Sequence, residues 1–313
     1  MKKFHMLLLV FTAIIGVCFI TVKNQLAEDK IEKNNTKNEE VIEPKKKSKI
    51  ELIEEKTYEV FDGYIDNVSI YFKDLNTNEE YALNEGIYYL AASTTKVPLA
   101  MMILDEVNNG EKSLDQLLYF IENDREGGSG VLYYLEQIPS ITIDEAINFS
   151  IVYSDNIARN MLSRVANTSS TEYMRNVAND NNIPYGNYTT AKQLGILLEK
   201  LYKNTDNNIY YNSLIEYMSN TIYHDRLDKY LDYDKVAHKI GNYYRYYHDM
   251  GIIYGKDTYI LVVLTKDVGE LNIEPLGNEE DDEIYLLDEG EKARELIATL
   301  SKEIYNIVED SKM

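Results

Sequence analysis

The chain has 313 residues, 44% of them hydrophobic, enough to bury one large core or two modest ones. Ten lysines against six acidic residues leave residues 1–49 at +4 and the remainder at −25, within a net charge of −21, a balance that repels phosphate backbones and excludes nucleic acid as a partner. The lone cysteine, Cys18, excludes an internal disulfide and a cysteine-based metal site, and the four histidines (His5, His224, His238, His248) lack a ligand spacing such as H-E-x-x-H, so no metal or other cofactor is expected.

At the N-terminus, Lys2 and Lys3 precede seventeen uncharged residues, Met6 to Val22, before Lys23. That run is long for a signal-peptide core, at the short end for a bilayer span, and no small-x-small cleavage site follows it. It predicts a membrane anchor over 1–22, uncleaved in preference to a cleaved signal, with a cytoplasmic N-terminus and an extracytoplasmic body. Residues 23–49 are polar and of mixed charge, which predicts a disordered tether. The folded domain is expected over 50–313, as a monomer.

Within that domain, IELIEEKTYEVFDGY from Ile50 has helical spacing, and NVSIYFKDLNTNEEYALN predicts two strands around a turn at Asn76–Asn78. From Ser93 to about Tyr223 helical patterns dominate. KVAHKIGNYY, YHDMGIIYG and DTYILVVLTKD then predict three strands, and a last helix from Glu289 to about Val308 places Leu296, Leu300 and Ile304 on one face. This order fits an α+β fold: a five-stranded antiparallel sheet from both chain ends, flanked by helices, with an all-helical subdomain inserted.

Three short motifs carry chemistry. In AASTTKVPLA, Ser93 and Lys96 stand three apart at the head of an apolar run, so on a helix the amine lies beside the hydroxyl. A hydroxyl with a base in reach at a helix start is an activated serine nucleophile; the bland alternative is a cap followed by an exposed lysine. Ser154-Asp155-Asn156 reads singly as a polar helix-to-loop corner, and Lys239-Ile240-Gly241 as a strand with a bulge glycine. In the order S-x-x-K, SDN, K-x-G they match the motif set of class A β-lactamases and penicillin-binding proteins. GGSG (Gly127–Gly130) and HDMGIIYG (His248–Gly255) occupy family-like positions as well.

From about Ile50 onward the chain resembles the class A β-lactamases and their D-Ala-D-Ala peptidase relatives. The resemblance implies a β-lactam or a wall peptide as substrate. It implies Ser93 as nucleophile, Lys96 as its base, Ser154 as proton relay to the leaving nitrogen, and Lys239 as a positive charge beside Ser154 and the substrate carboxylate. Asn156 would bond the substrate amide and help hold Lys96, and Gly241 would let the strand approach substrate. The backbone N–H groups of Ser93 and Asn242 would form the oxyanion hole, while Arg245 is either a carboxylate anchor or an exposed strand arginine.

Two departures stand out. Ile240 replaces the hydroxyl residue of K-[ST]-G, a loss worth about 1.5–3 kcal/mol of charge-assisted bonding. No Asp or Glu occurs between Asp180 and Glu199, where the family keeps the glutamate that activates the deacylating water. The expected activity is therefore an acyl-enzyme hydrolase with slow deacylation. The alternatives are a penicillin sensor or sink that stays acylated, and a structural protein that lost the chemistry.

Overall fold

The computed structural model describes residues 47–274 and 283–310. Helix α1 (Lys49–Val60) starts at a capping box: Ser48 accepts from the Glu51 N–H and Glu51 reaches back to the Ser48 N–H. Strands β1 (Val68–Asp74) and β2 (Glu80–Leu83) follow, joined by a turn that Asp74 closes through the N–H groups of Asn76 and Thr77. The chain returns to this sheet much later, as β7 (Val236–Tyr243), β8 (Tyr246–Tyr254) and β9 (Thr258–Lys266). The order is β2-β1-β9-β8-β7, with every pair antiparallel.

Strand β9 explains the layering. Ile260, Val262 and Leu264 belong to one core and Leu261 and Val263 to the other, so period-2 alternation feeds both faces of the sheet. On one face α1 and α8 (Glu291–Asp310) pack, with Ile297, Leu300, Ile304 and Val308 forming the buried stripe of α8. On the other face lies the helical region. It comprises α2 (Lys96–Asn108), α3 (Ile143–Val152), α4 (Asn156–Val165), α5 (Ser170–Ala178), α6 (Ala191–Lys203) and α7 (Tyr211–Ser219). Helix α2 is buried almost all round, which is why its sequence reads as core on every side.

The five-stranded α+β arrangement matches the sequence expectation, whereas the sequence carries no signal for two-residue strand pairs inside the helical region: β3 (Tyr89–Leu90) with β6 (Tyr188–Thr189), and β4 (Leu117–Leu118) with β5 (Ile141–Thr142). They are too short to leave a periodic signal. A further hairpin, Leu271–Glu274 with Glu283–Leu286, precedes α8. The described residues from Ser48 onward form one compact unit.

The expected membrane anchor, with the membrane partner and the anchored extracytoplasmic location drawn from it, requires correction. Among the described residues no helix is long and apolar enough to cross a membrane. The twenty-residue α8 has the length but carries a charged face. The segment that raised the expectation, Met6–Val22, lies outside the described residues.

Helix α6 sits on the sheet through Gly195: a Cβ there would lie 2.2 Å from Tyr71 Cδ1, near the base of a buried ring that cannot swing aside. Alanine is the better helix former by about 1 kcal/mol, but overpacking costs about 1–3 kcal/mol. At 2.2 Å the clash wins. Gly195→Ala should therefore lower unfolding stability by about 1–2 kcal/mol in urea, and an unchanged or raised midpoint would show that α6 can shift freely.

Candidate active site

Ser93 lies in a 3-10 turn, Ala92–Thr95, that runs directly into α2 at Lys96. The serine is thus one turn ahead of the α-helix, yet i and i+3 still meet: Lys96 Nζ is 3.0 Å from Ser93 Oγ. Ala92, just before the serine, has φ +49°, a left-handed conformation that costs a non-glycine residue about 1–3 kcal/mol.

Lys96 is buried, 2% exposed, in a cage of four oxygens. Its Nζ lies 2.5 Å from Ser154 O, 2.7 Å from Asn156 Oδ1 and 3.1 Å from Ser154 Oγ, besides Ser93 Oγ. The two carbonyl-type oxygens can only accept, so they take two N–H donors. In the neutral amine the remaining position is a lone pair, and two hydroxyls stand beside it. Burial, reinforced by the nearby cations Lys239 and Arg159, brings the Lys96 pKa down to about 6.

Ser154 stands at the junction between α3 and α4 with φ +53°. Its hydroxyl is shared: Lys239 Nζ donates to Ser154 Oγ at 3.0 Å from the β7 side. Lys239 is completely buried, and burial brings its pKa to about 7. The two amines and two hydroxyls therefore form a continuous chain from Ser93 through Lys96 and Ser154 to Lys239.

Asp155 does more than the helix-to-loop corner read from the sequence. It caps α4 by accepting from the Ala158 N–H at 2.9 Å, and its other oxygen accepts from Val131 and Leu132 N–H at 2.7 and 2.8 Å. Gly130 (φ +102°) makes this possible, because a Cβ there would lie 2.2 Å from the carboxylate. Asn156 is held from the same loop, its Nδ2 donating to Gly127 O at 2.8 Å. The GGSG segment thus serves as a backbone cradle for SDN.

Gly241 permits the closest approach of β7 to the serine turn: a Cβ there would meet Ala91 O at 2.9 Å and Thr94 Cγ2 at 3.1 Å. Ile240, beside it, is buried at 4% exposure. Asn242 and Tyr243 line a cleft of about 380 Å³ that is also lined by Ser93, Lys96 and Asn156. Arg245 is not brought to this cleft; it stands at the β7–β8 turn, ion-paired with Asp267. Glu126 and Arg159, unremarked in the sequence, line the cleft and bond each other at 3.0 Å. Their pairing spans 33 residues of sequence and carries no local signal.

The model of the β-lactamase enzyme family matches residues 52–308. The chain belongs to this family. Among solved structures, PBP-A superposes with a TM-score of 0.69 at 19% identity over 82% of this chain and 96% of that one. A PBP-A mutant in an acyl-enzyme complex with penicillin G gives 0.68 at 19% over the same shares. A β-lactamase from Chitinophaga pinensis gives 0.66 at 19% identity, covering 82% of this chain and 99% of its own. No curated protein matches the sequence significantly. The resemblance read from the three motifs is thus a family relationship, and at these identities the solved structures share its fold.

Removing the Asp155 carboxylate strips a cap worth about 1 kcal/mol and two charge-assisted backbone bonds. Asp155→Ala should cost about 2–4 kcal/mol of unfolding stability, measured in urea. A loss below about 1 kcal/mol would mean that the GGSG cradle holds SDN without it.

Proposed function

We propose that this family member is a serine acyl-enzyme hydrolase, acylated at Ser93 by β-lactams or D-Ala-D-Ala-type peptides and slow to release the acyl group. The observation that carries this reading is a buried amine with a pKa near 6, placed 3.0 Å from Ser93 Oγ and facing a cleft. The acyl-enzyme complex of a PBP-A mutant with penicillin G supports β-lactams as the probe class.

In the proposed reaction, neutral Lys96 takes the Ser93 Oγ proton as Oγ bonds to the substrate carbonyl carbon. The carbonyl π electrons move to oxygen, which the N–H groups of Ser93 and Asn242 stabilise. Collapse re-forms the carbonyl and breaks the C–N bond. Ser154 gives its proton to the leaving nitrogen and recovers one from the Lys96 ammonium, to which it lies 3.1 Å. Lys239 supplies positive charge to Ser154 and to a substrate carboxylate, in a site where Ile240 offers no hydroxyl.

Deacylation needs a base beside a water on the acyl carbonyl. The 181–198 segment holds no carboxylate. Glu126, the carboxylate among the residues lining the cleft, is already engaged by Arg159 and by Asn160 Nδ2 at 2.8 Å. General-base assistance is worth about 10²–10⁴-fold, so the adduct should be long-lived. This favours the sensor or sink behaviour over efficient turnover.

The test is intact-mass spectrometry of the protein over time with benzylpenicillin. The expected result is a penicilloyl adduct that outlasts β-lactam turnover, absent from Ser93→Ala, whose thermal unfolding stays within about 1 kcal/mol of the parent as for a change away from core packing. Labelling of the alanine variant would move the nucleophile elsewhere. Rapid hydrolysis without adduct would show that another base completes the cycle.

A further inference from the structure

Behind the strand that carries Lys239 lies a second polar cluster, which the acylation chemistry does not use. His238 precedes Lys239 on β7, so the two side chains leave opposite faces of the sheet. On its own side His238 meets the turn-rich segment before β7, where His224 and Asp228 stand four residues apart and their side chains bond through His224 Nδ1 and Asp228 Oδ2. One potential ligand atom from each of the three residues lies within 4.8 Å of the other two.

Two features distinguish this cluster from an ordinary ion pair. His238 Nε2 is 3.3 Å from Asp228 Oδ2, an ion-pair distance without hydrogen-bond geometry, and Asp228 Oδ1 has no hydrogen-bond partner, although both residues are at most 1% exposed. Buried polar atoms are rarely left so. A tetrahedral zinc with bonds of about 2.0–2.1 Å holds its ligand atoms about 3.3 Å apart, facing the ion and not each other.

The second feature is the support behind His238. Its Nδ1 contacts both Asp249 oxygens, at 3.0 and 2.9 Å. Asp249 is itself fixed by N–H donors from Leu227 at 3.1 Å and Met250 at 2.9 Å. A carboxylate that receives Nδ1–H sets the tautomer whose Nε2 lone pair points at a metal, the usual outer arrangement of zinc-bound histidine. The His224 ring is held by Tyr233, stacked 4.0 Å away, and its side chain is 31% exposed, which leaves an entry path.

We propose that His224, Asp228 and His238 form a binding site for a borderline divalent cation of the zinc class, with a fourth position left to water. Two imidazoles and one carboxylate suit zinc better than calcium or magnesium, which require mostly oxygen ligands. The cation would tie the 224–228 turn to β7, the strand that presents Lys239, Gly241 and Asn242 to the cleft.

The probes are ZnCl₂ by titration calorimetry and CoCl₂ by visible absorption, on the full chain after chelator treatment and dialysis. Expected are saturable zinc binding with about one equivalent bound, a higher unfolding temperature with zinc, and a tetrahedral cobalt spectrum. His224→Ala, at a partly exposed side chain, should keep the fold by circular dichroism and lose affinity by more than about 100-fold; Asp249→Asn should lose about 10–100-fold. Absence of saturable binding would overturn the proposal and leave an imidazolium held by two carboxylates. Undiminished binding by His224→Ala would overturn it too, by putting the cation elsewhere.

Discussion

The site is organised around one buried amine. Lys96 Nζ has two obligate acceptors and two hydroxyls within hydrogen-bond reach, and no carboxylate among those partners to hold a proton on it. Burial disfavours its charge, and Lys239 on the far side of Ser154 disfavours it again. A lysine in that position is a base near neutral pH, where an exposed lysine is an acid. Each neighbouring element supplies part of the cage. The serine turn and α2 bring Ser93 and Lys96, the SDN corner brings two oxygens of Ser154 and one of Asn156, and β7 brings the second amine, Lys239.

That arrangement opposes stability in several places. Ala92 and Ser154 both hold left-handed backbone, and two lysines are almost wholly withdrawn from water. Strain of this kind persists only where surrounding contacts over-determine it. Here those contacts are Asp155 on the 131–132 backbone, Asn156 on Gly127, and Gly241 against Ala91. The strained residues are functional candidates, and the residues that hold them are their scaffold.

Much of this was legible in the sequence because the chemistry sits in short motifs and the sheet in strongly alternating strands. Ser93 with Lys96 is a local i,i+3 pair, and the β9 pattern announces a strand buried on both faces. What the sequence could not give are contacts across long separations. Asp155 meets residues 131–132, Glu126 meets Arg159, and His238 meets Asp228 only after the chain has folded. Arg245, open in the sequence between a carboxylate anchor and an exposed strand arginine, stands at the β7–β8 turn paired with Asp267, another contact across a long separation. The seventeen-residue apolar run suggested an anchored architecture, and among the described residues no helix is long and apolar enough to cross a membrane.

The protonation state of Lys96 is open to direct measurement by carbon-13 NMR of Cε-labelled lysines across pH, with the signal assigned by its loss in Lys96→Ala. The structure predicts a Lys96 midpoint near 6, so that the amine is mostly neutral at pH 7. A midpoint near the ordinary 10.5 would contradict it, because the group beside Ser93 would then be a cation unable to accept the serine proton.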